Sequence, residues 1–259
     1  MRSLGHGPES VVALHCTLAH GGAWAPMAAN LANQVTVLAP DLPGHGDGPD
    51  WQSGGDFMAA ALTTLAELPR EPRHVLGHSF GAVVALEHAL RAPERVLSLT
   101  LVEPVLFAAV ASARGRMAVA NEWRELERLF FAQDREAAAK LFTDTWGAGL
   151  PWEGLPRSAR ARLVGQIHIL PDQTVTLHED GAGILSPGRL EALTVPVTFV
   201  SGSNSPEVVG DIVETLAGRI PHARRVEIDG AGHMLPLTHP AEMADVLGQS
   251  IAAGRALLA

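Results

Sequence analysis

Short apolar runs alternate with segments of helical period over most of this chain. Val11-Val12-Ala13-Leu14-His15, Val35-Thr36-Val37-Leu38-Ala39-Pro40 and Arg73-His74-Val75-Leu76 read as strands. So do Val96-Leu97-Ser98-Leu99-Thr100-Leu101-Val102, Val195-Pro196-Val197-Thr198-Phe199-Val200 and Arg225-Val226-Glu227-Ile228. Between them, residues 24–31 carry Trp24, Met27, Ala28 and Leu31 at helical spacing, and further helices are predicted near 56–68, 82–90, 206–216 and 240–249. Nearly continuous apolar strands alternating with helices specify an α/β fold, a mostly parallel sheet covered on both faces. From about 106 to 186 the alternation stops, and helix follows helix (112–131, 134–146, 156–169). The expected organisation is a core of 1–105 and 187–259 with a helical lid, 106–186, inserted past the C-terminal strand ends.

The third apolar run leads directly into Gly77-His78-Ser79-Phe80-Gly81 and then into a helix. Gly-x-Ser-x-Gly between strand and helix is a nucleophile elbow, a sharp turn that lifts the serine oxygen above the sheet edge. Glycine flanks the turn because it is strained and neighbouring backbone passes close by. Ser79 is therefore the candidate nucleophile.

Composition narrows the chemistry. The 259 residues carry a formal net charge of −9 and no cluster of Lys or Arg, which argues against nucleic acid and anionic membranes as partners. The single cysteine, Cys16, cannot form an intramolecular disulfide. The first residues lack the apolar region of a signal peptide, and no apolar run approaches a membrane span, so a cytoplasmic protein is expected. There is neither a His-Glu-x-x-His run nor a nucleotide-binding glycine loop, and no metal or organic cofactor is expected.

Four stretches in this order resemble the α/β-hydrolase superfamily. They are Leu14-His15 with the loop through Trp24, Pro40-Asp41-Leu42-Pro43-Gly44-His45-Gly46, the elbow, and Gly230-Ala231-Gly232-His233. The resemblance covers nearly the whole chain and implies a nucleophile, an acid and a histidine in that order. Among the 12 histidines it selects His233, in the loop after the last strand; it assigns His15 and His45 to structural turns. Many members carry an Asp in the loop after the strand that is here Val195 to Val200, where this chain has Ser205. Others place the acid directly after the strand that follows the elbow helix, where this chain has Glu103; Glu207 is the competitor. The oxyanion hole implied by the match uses the backbone N–H groups of Phe80 and Thr17, the latter in a loop where Cys16 replaces the usual glycine. Only ten residues precede Val11, too few for the hairpin that begins many relatives, so about six principal strands are expected, with the hairpin trimmed or missing.

The expected function is hydrolysis of a small or medium carboxylic ester through an acyl-enzyme on Ser79, with a Ser79–His233–Glu103 triad. The same triad would serve a lactonase, thioesterase or carbon–carbon bond hydrolase, and the superfamily also contains members that only bind small ligands. The expected partner is a small ester-like molecule. Oligomeric state is not legible in the residues.

Overall fold

Alternate residues of the strand Glu9–Leu14 enter two different cores. Val12 and Leu14 join one apolar cluster, Val11 and Ala13 the other, and all four are buried. The computed structural model, which describes residues 1–68 and 71–257, repeats this two-sided burial across a seven-stranded sheet.

The first half of the chain contributes β1 (Arg2–Gly5), β2 (Glu9–Leu14), α1 (Ala25–Asn30), β3 (Val35–Ala39), α2 (Phe57–Ala66), β4 (Arg73–His78), α3 (Phe80–Arg91) and β5 (Val96–Val102). Four helices follow without a strand: α4 (Ala113–Phe131), α5 (Arg135–Trp146), α6 (Arg157–Gln166) and α7 (Thr174–Glu179). The chain then returns to the sheet with β6 (Val197–Gly202), α8 (Glu207–Arg219), β7 (Arg224–Ile228), the short α9 (Leu235–Thr238) and α10 (Pro240–Ala256). The order across the sheet is β1-β3-β2-β4-β5-β6-β7. The strands from β2 onward run parallel, and β1 alone is antiparallel, pairing Arg2 with Ala39 and Gly5 with Thr36.

The six parallel strands coincide with the six apolar runs, and β1 is added to them. Its burial alternates between half-buried and exposed, so no apolar run announced it. Besides its ladder to β3, an ion pair fixes this edge: the Arg2 guanidinium reaches both carboxylate oxygens of the buried Asp41 at 2.7 and 2.8 Å.

On one face α2, α3 and α8 bury Phe57, Leu65, Phe80, Val83, Val209 and Ile212 against the sheet. On the other, Met27 of α1 and Met243, Leu247 and Ile251 of α10 do the same. Each such side chain contributes roughly 1.5–3 kcal/mol when fully withdrawn from water. Side-chain caps set several helix starts: Asp56 accepts from Ala59 N–H at 2.9 Å, Ser112 from Gly115 N–H at 2.9 Å and Asp134 from Ala137 N–H at 3.0 Å. The helices after β5 bury a smaller cluster of their own, including Leu126, Ala138, Trp152 and Ile167, which Leu18 of the β2 loop joins. Among the described residues no helix is long and apolar enough to cross a membrane.

In the turn between β4 and α3 backbone passes close to backbone. A Cβ on Gly81 would lie 2.5 Å from the carbonyl oxygens of Leu14 and His15, and one on Gly77 2.3 Å from the Gly81 oxygen. Gly81→Ala should therefore lose at least about 2 kcal/mol of stability. Gly210→Ala, in the exposed interior of α8 with no atom near its would-be Cβ, should gain roughly 0.5–1 kcal/mol. Urea unfolding of the two variants beside the parent measures both; a tolerated Gly81→Ala would contradict the close approach.

Candidate active site

The C-terminal ends of β2, β4, β5, β6 and β7 meet at one edge of the sheet, and each delivers a polar group there. Ser79 follows β4 with φ 57° and ψ −120°, a conformation a non-glycine residue adopts only under strain. The strain is held by packing on both sides, through Gly77 and Gly81, and by a hydrogen bond from Ser79 N–H to Val102 O at 2.9 Å. Glu103 follows β5, also at positive φ (50°), and its N–H is fixed on Val200 O at 2.8 Å. His233 lies in the loop after β7.

These three side chains form one hydrogen-bonded line. Ser79 Oγ is 3.0 Å from His233 Nε2, and His233 Nδ1 is 3.0 Å from Glu103 Oε2. An ionised carboxylate only accepts, so the imidazole proton sits on Nδ1 and Nε2 is left to accept from the serine hydroxyl. The other glutamate oxygen, Oε1, accepts from Gly202 N–H and from Ser205 Oγ, both at 2.8 Å. Ser205, at the position where many relatives carry the acid, is thus a donor to the carboxylate that Glu103 brings from the neighbouring strand. Glu207 points elsewhere: it is exposed and pairs with Arg114 at 3.2 Å.

Two further histidines shape the loop after β2. His15 donates from Nδ1 to Cys16 O at 2.8 Å and accepts at Nε2 from Leu42 N–H at 2.9 Å. His45 donates to Pro43 O at 2.8 Å and accepts from Leu18 N–H at 3.0 Å. Both are buried, and loss of hydration pushes His15 down to about 3 and His45 down to about 4. Their acceptor nitrogens require the neutral form. Because His45 takes the Leu18 N–H and Cys16 O takes that of Ala19, the loop's backbone donors on that side are spoken for. The N–H of Thr17 has no protein acceptor among the described residues. Phe80 opens α3, where a first-turn N–H has no intrahelical acceptor. Cys16 is a buried thiol that desolvation raises to about 12, without nucleophilic character.

A cleft with about 540 Å³ of empty space, partly open to solvent, reaches Ser79 and Thr17. Its apolar wall comes mainly from the helices after β5, with Phe107, Val119, Trp123, Leu126, Phe142 and Trp146. Four polar residues also border it: Glu122, Gln173, Thr174 and His178. Trp146 meets His233 in a T-shaped contact with ring centroids 4.8 Å apart and donates from Nε1 to Glu122 at 2.8 Å. Burial raises the Glu122 carboxyl above the ordinary carboxylate range. His178 packs against Phe107 and Trp123 and is lowered to about 4 by desolvation. No sequence pattern singles out these four. Helical period marks a residue as inward-facing but not which cavity it faces. Among the described residues no group of three His, Cys, Asp or Glu side chains is placed to hold a metal ion.

The model of a family described as the alpha/beta hydrolase family matches residues 11–246. A pimeloyl-[acyl-carrier protein] methyl ester esterase from Methylococcus capsulatus is 34% identical over 96% of both chains. The lipase LipV of Mycobacterium tuberculosis is 30% identical over 93% of this chain and 92% of its own. Among solved structures, the 2-hydroxy-6-oxo-6-phenylhexa-2,4-dienoate hydrolase of Rhodococcus sp. strain RHA1 superposes with a TM-score of 0.75 over 96% of this chain and 94% of its own, at 22% identity. That likeness speaks to the fold.

The buried neutral histidines make stability depend on pH. Their folded values lie below the roughly 6.5 of an unfolded histidine, so as pH falls below that value the unfolded chain binds protons that the fold refuses. Stability is complete above about pH 6.5 and should decline towards pH 4 by roughly 1.4 kcal/mol per pH unit for each such histidine. Urea unfolding between pH 7.5 and 4.5 should show this slope, and His15→Gln should flatten it by about one proton. A stability independent of pH over that range would contradict the neutral, accepting role of these rings.

Proposed function

The chain belongs to the alpha/beta hydrolase family, and on that premise we propose that it is a serine hydrolase of carboxylic esters whose nucleophile is Ser79. The observation that carries this reading is the unbroken line from Ser79 Oγ through His233 to Glu103, each step 3.0 Å, buried at the end of an apolar cleft. A protein that only binds a ligand has no use for a strained serine held against an oriented imidazole.

In the mechanism, His233 Nε2 takes the Ser79 proton while Oγ attacks the ester carbonyl carbon. The resulting oxyanion lies against the N–H groups of Phe80 and Thr17; each such donor is worth roughly 2.7–4 kcal/mol of transition-state stabilisation. The Glu103 carboxylate holds the Nδ1–H tautomer and balances the imidazolium charge. The bond to the alcohol oxygen then breaks, and the proton on Nε2 goes to that oxygen. Water, deprotonated by His233, attacks the acyl-enzyme, releasing the acid and returning the proton to Ser79.

The helical segment 106–186 acts as a lid in this reading, because it supplies most of the cleft's apolar wall. That wall suits the acyl chain of a small or medium ester. The Methylococcus relative is named for a methyl ester of an acyl group on a carrier protein. Methyl esters of medium-length acyl chains are accordingly the first substrates to offer.

Turnover of p-nitrophenyl esters of increasing acyl length should be measurable in the parent and fall by roughly 10⁴-fold or more in Ser79→Ala. Glu103→Gln should lose about 10³–10⁴-fold in kcat, as expected when a buried acid can no longer orient and balance the imidazole. Glu207→Gln should stay within a factor of about two. Equal rates for parent and Ser79→Ala would refute the hydrolase reading, and a larger loss in Glu207→Gln than in Glu103→Gln would refute the triad.

A further inference from the structure

Two consecutive residues at the wall of the cleft carry buried polar atoms with no hydrogen-bond partner within the described protein: Gln173 Nε2 and Thr174 Oγ1. Gln173 itself is only 3% exposed. The Thr17 hydroxyl donates to Oε1 at 2.9 Å, and in this orientation of the amide Nε2 is the unused donor. Thr174 begins α7 and its hydroxyl makes no bond back to the preceding turn. Thr17 ties this pair to the loop that borders Ser79, and Gln173, Thr174 and Ser79 all line one cleft.

A buried donor left without an acceptor costs about 1–3 kcal/mol, and native folds keep few of them without a purpose. Neither atom is reached by solvent, and an acyl chain that fills the cleft can satisfy them only with an acceptor of its own. A site built to hydrogen-bond its substrate discriminates strongly against an analogue without the bonding group.

The charge of the cleft says which acceptor. No Lys or Arg is among its lining residues, and Glu122 is an acid. His178 is held neutral at pH 7 by burial among Phe107 and Trp123. A carboxylate entering here would lose its hydration without meeting a cation. A ketone, ester or amide carbonyl would lose little and gain the two donors.

We propose that Gln173 and Thr174 form a recognition site for a second, uncharged carbonyl group on the substrate, a few bonds from the ester that Ser79 attacks. The substrate class is then a neutral oxo-acyl, diester or amido-acyl ester rather than a plain fatty ester or a half-ester with a free acid. This deepens the hydrolase reading and rests on the same cleft.

Binding can be measured apart from turnover. In Ser79→Ala, quenching of tryptophan fluorescence (Trp123 and Trp146 line the cleft) titrates methyl hexanoate, methyl 4-oxohexanoate, methyl 5-oxohexanoate and monomethyl glutarate. One of the oxo esters should bind about three- to tenfold more tightly than methyl hexanoate, the return from one or two neutral hydrogen bonds. Monomethyl glutarate should bind more weakly than methyl hexanoate. The oxo-to-plain ratio should approach one when Gln173→Met or Thr174→Val is added; the second change keeps shape and leaves the Thr17–Gln173 bond intact. Reading a ratio cancels any general loss of affinity. Equal affinities in the parent cleft, a ratio that survives both substitutions, or tightest binding of the half-ester would overturn the proposal. The same ratios in kcat/KM separate the two readings. Selective binding without ester cleavage would refute hydrolysis alone, and cleavage without selectivity would refute this site alone.

Discussion

A carboxylate with no solvent exposure is the constraint around which the C-terminal edge of the sheet is assembled. Glu103 has both oxygens taken up, Oε1 by Gly202 N–H and Ser205 Oγ and Oε2 by His233 Nδ1. Burying an ionised acid without such partners would cost several kcal/mol. The need to satisfy it therefore ties the ends of β5, β6 and β7 to one another. Ser205 matters to this arrangement as a donor: a second carboxylate there would repel the first. The imidazole is oriented as a consequence, and so is the lone pair it presents to Ser79.

The backbone carries the same constraint across the edge. Ser79 N–H on Val102 O and Glu103 N–H on Val200 O continue the hydrogen bonding of the sheet one step past the strands, into two residues at positive φ. His78 adds a brace from inside the elbow, its Nε2 donating to His233 O at 2.8 Å. Ser79 and His233 are thus held to each other through main chain as well as through their side chains. Strain at Ser79 persists because the close backbone approach at Gly77 and Gly81 and the bond from Ser79 N–H to Val102 O hold the turn in place.

Opposite this rigid edge stand helices with a smaller core of their own, joined to the sheet domain partly through Leu18. They contribute both the apolar wall and its few polar atoms, and Trp146 carries their influence to the His233 ring. The polar line and the cleft wall therefore come from different parts of the chain. The strand ends hold Ser79, Glu103 and His233, while the segment between β5 and β6 supplies most of the wall beside them.

Much of this was legible in the residues themselves. Apolar runs of strand length located the six parallel strands, because a sheet covered on both faces needs apolar side chains at successive positions. Gly77 and Gly81 marked the elbow, since no Cβ fits where backbone crosses backbone. His233 stood out through the resemblance of Gly230-Ala231-Gly232-His233, in the loop after the last strand, to the α/β-hydrolase pattern. The antiparallel edge strand β1 was not legible: its four residues are half-exposed, and an ion pair between Arg2 and Asp41 anchors it across distant sequence. Nor could spacing decide between Glu103 and Glu207. Which carboxylate meets His233 depends on the direction in which each strand end leaves the sheet, and that direction sends Glu207 to Arg114 at the surface. The cleft's Gln173 and Thr174 were hidden for a related reason. They lie far along the chain from Ser79, and only packing of the helices against the sheet brings them to the same cavity. Local sequence determined the elements and the reactive residue types; tertiary packing decided which polar atoms were left without partners, and so what the cleft has to offer a substrate.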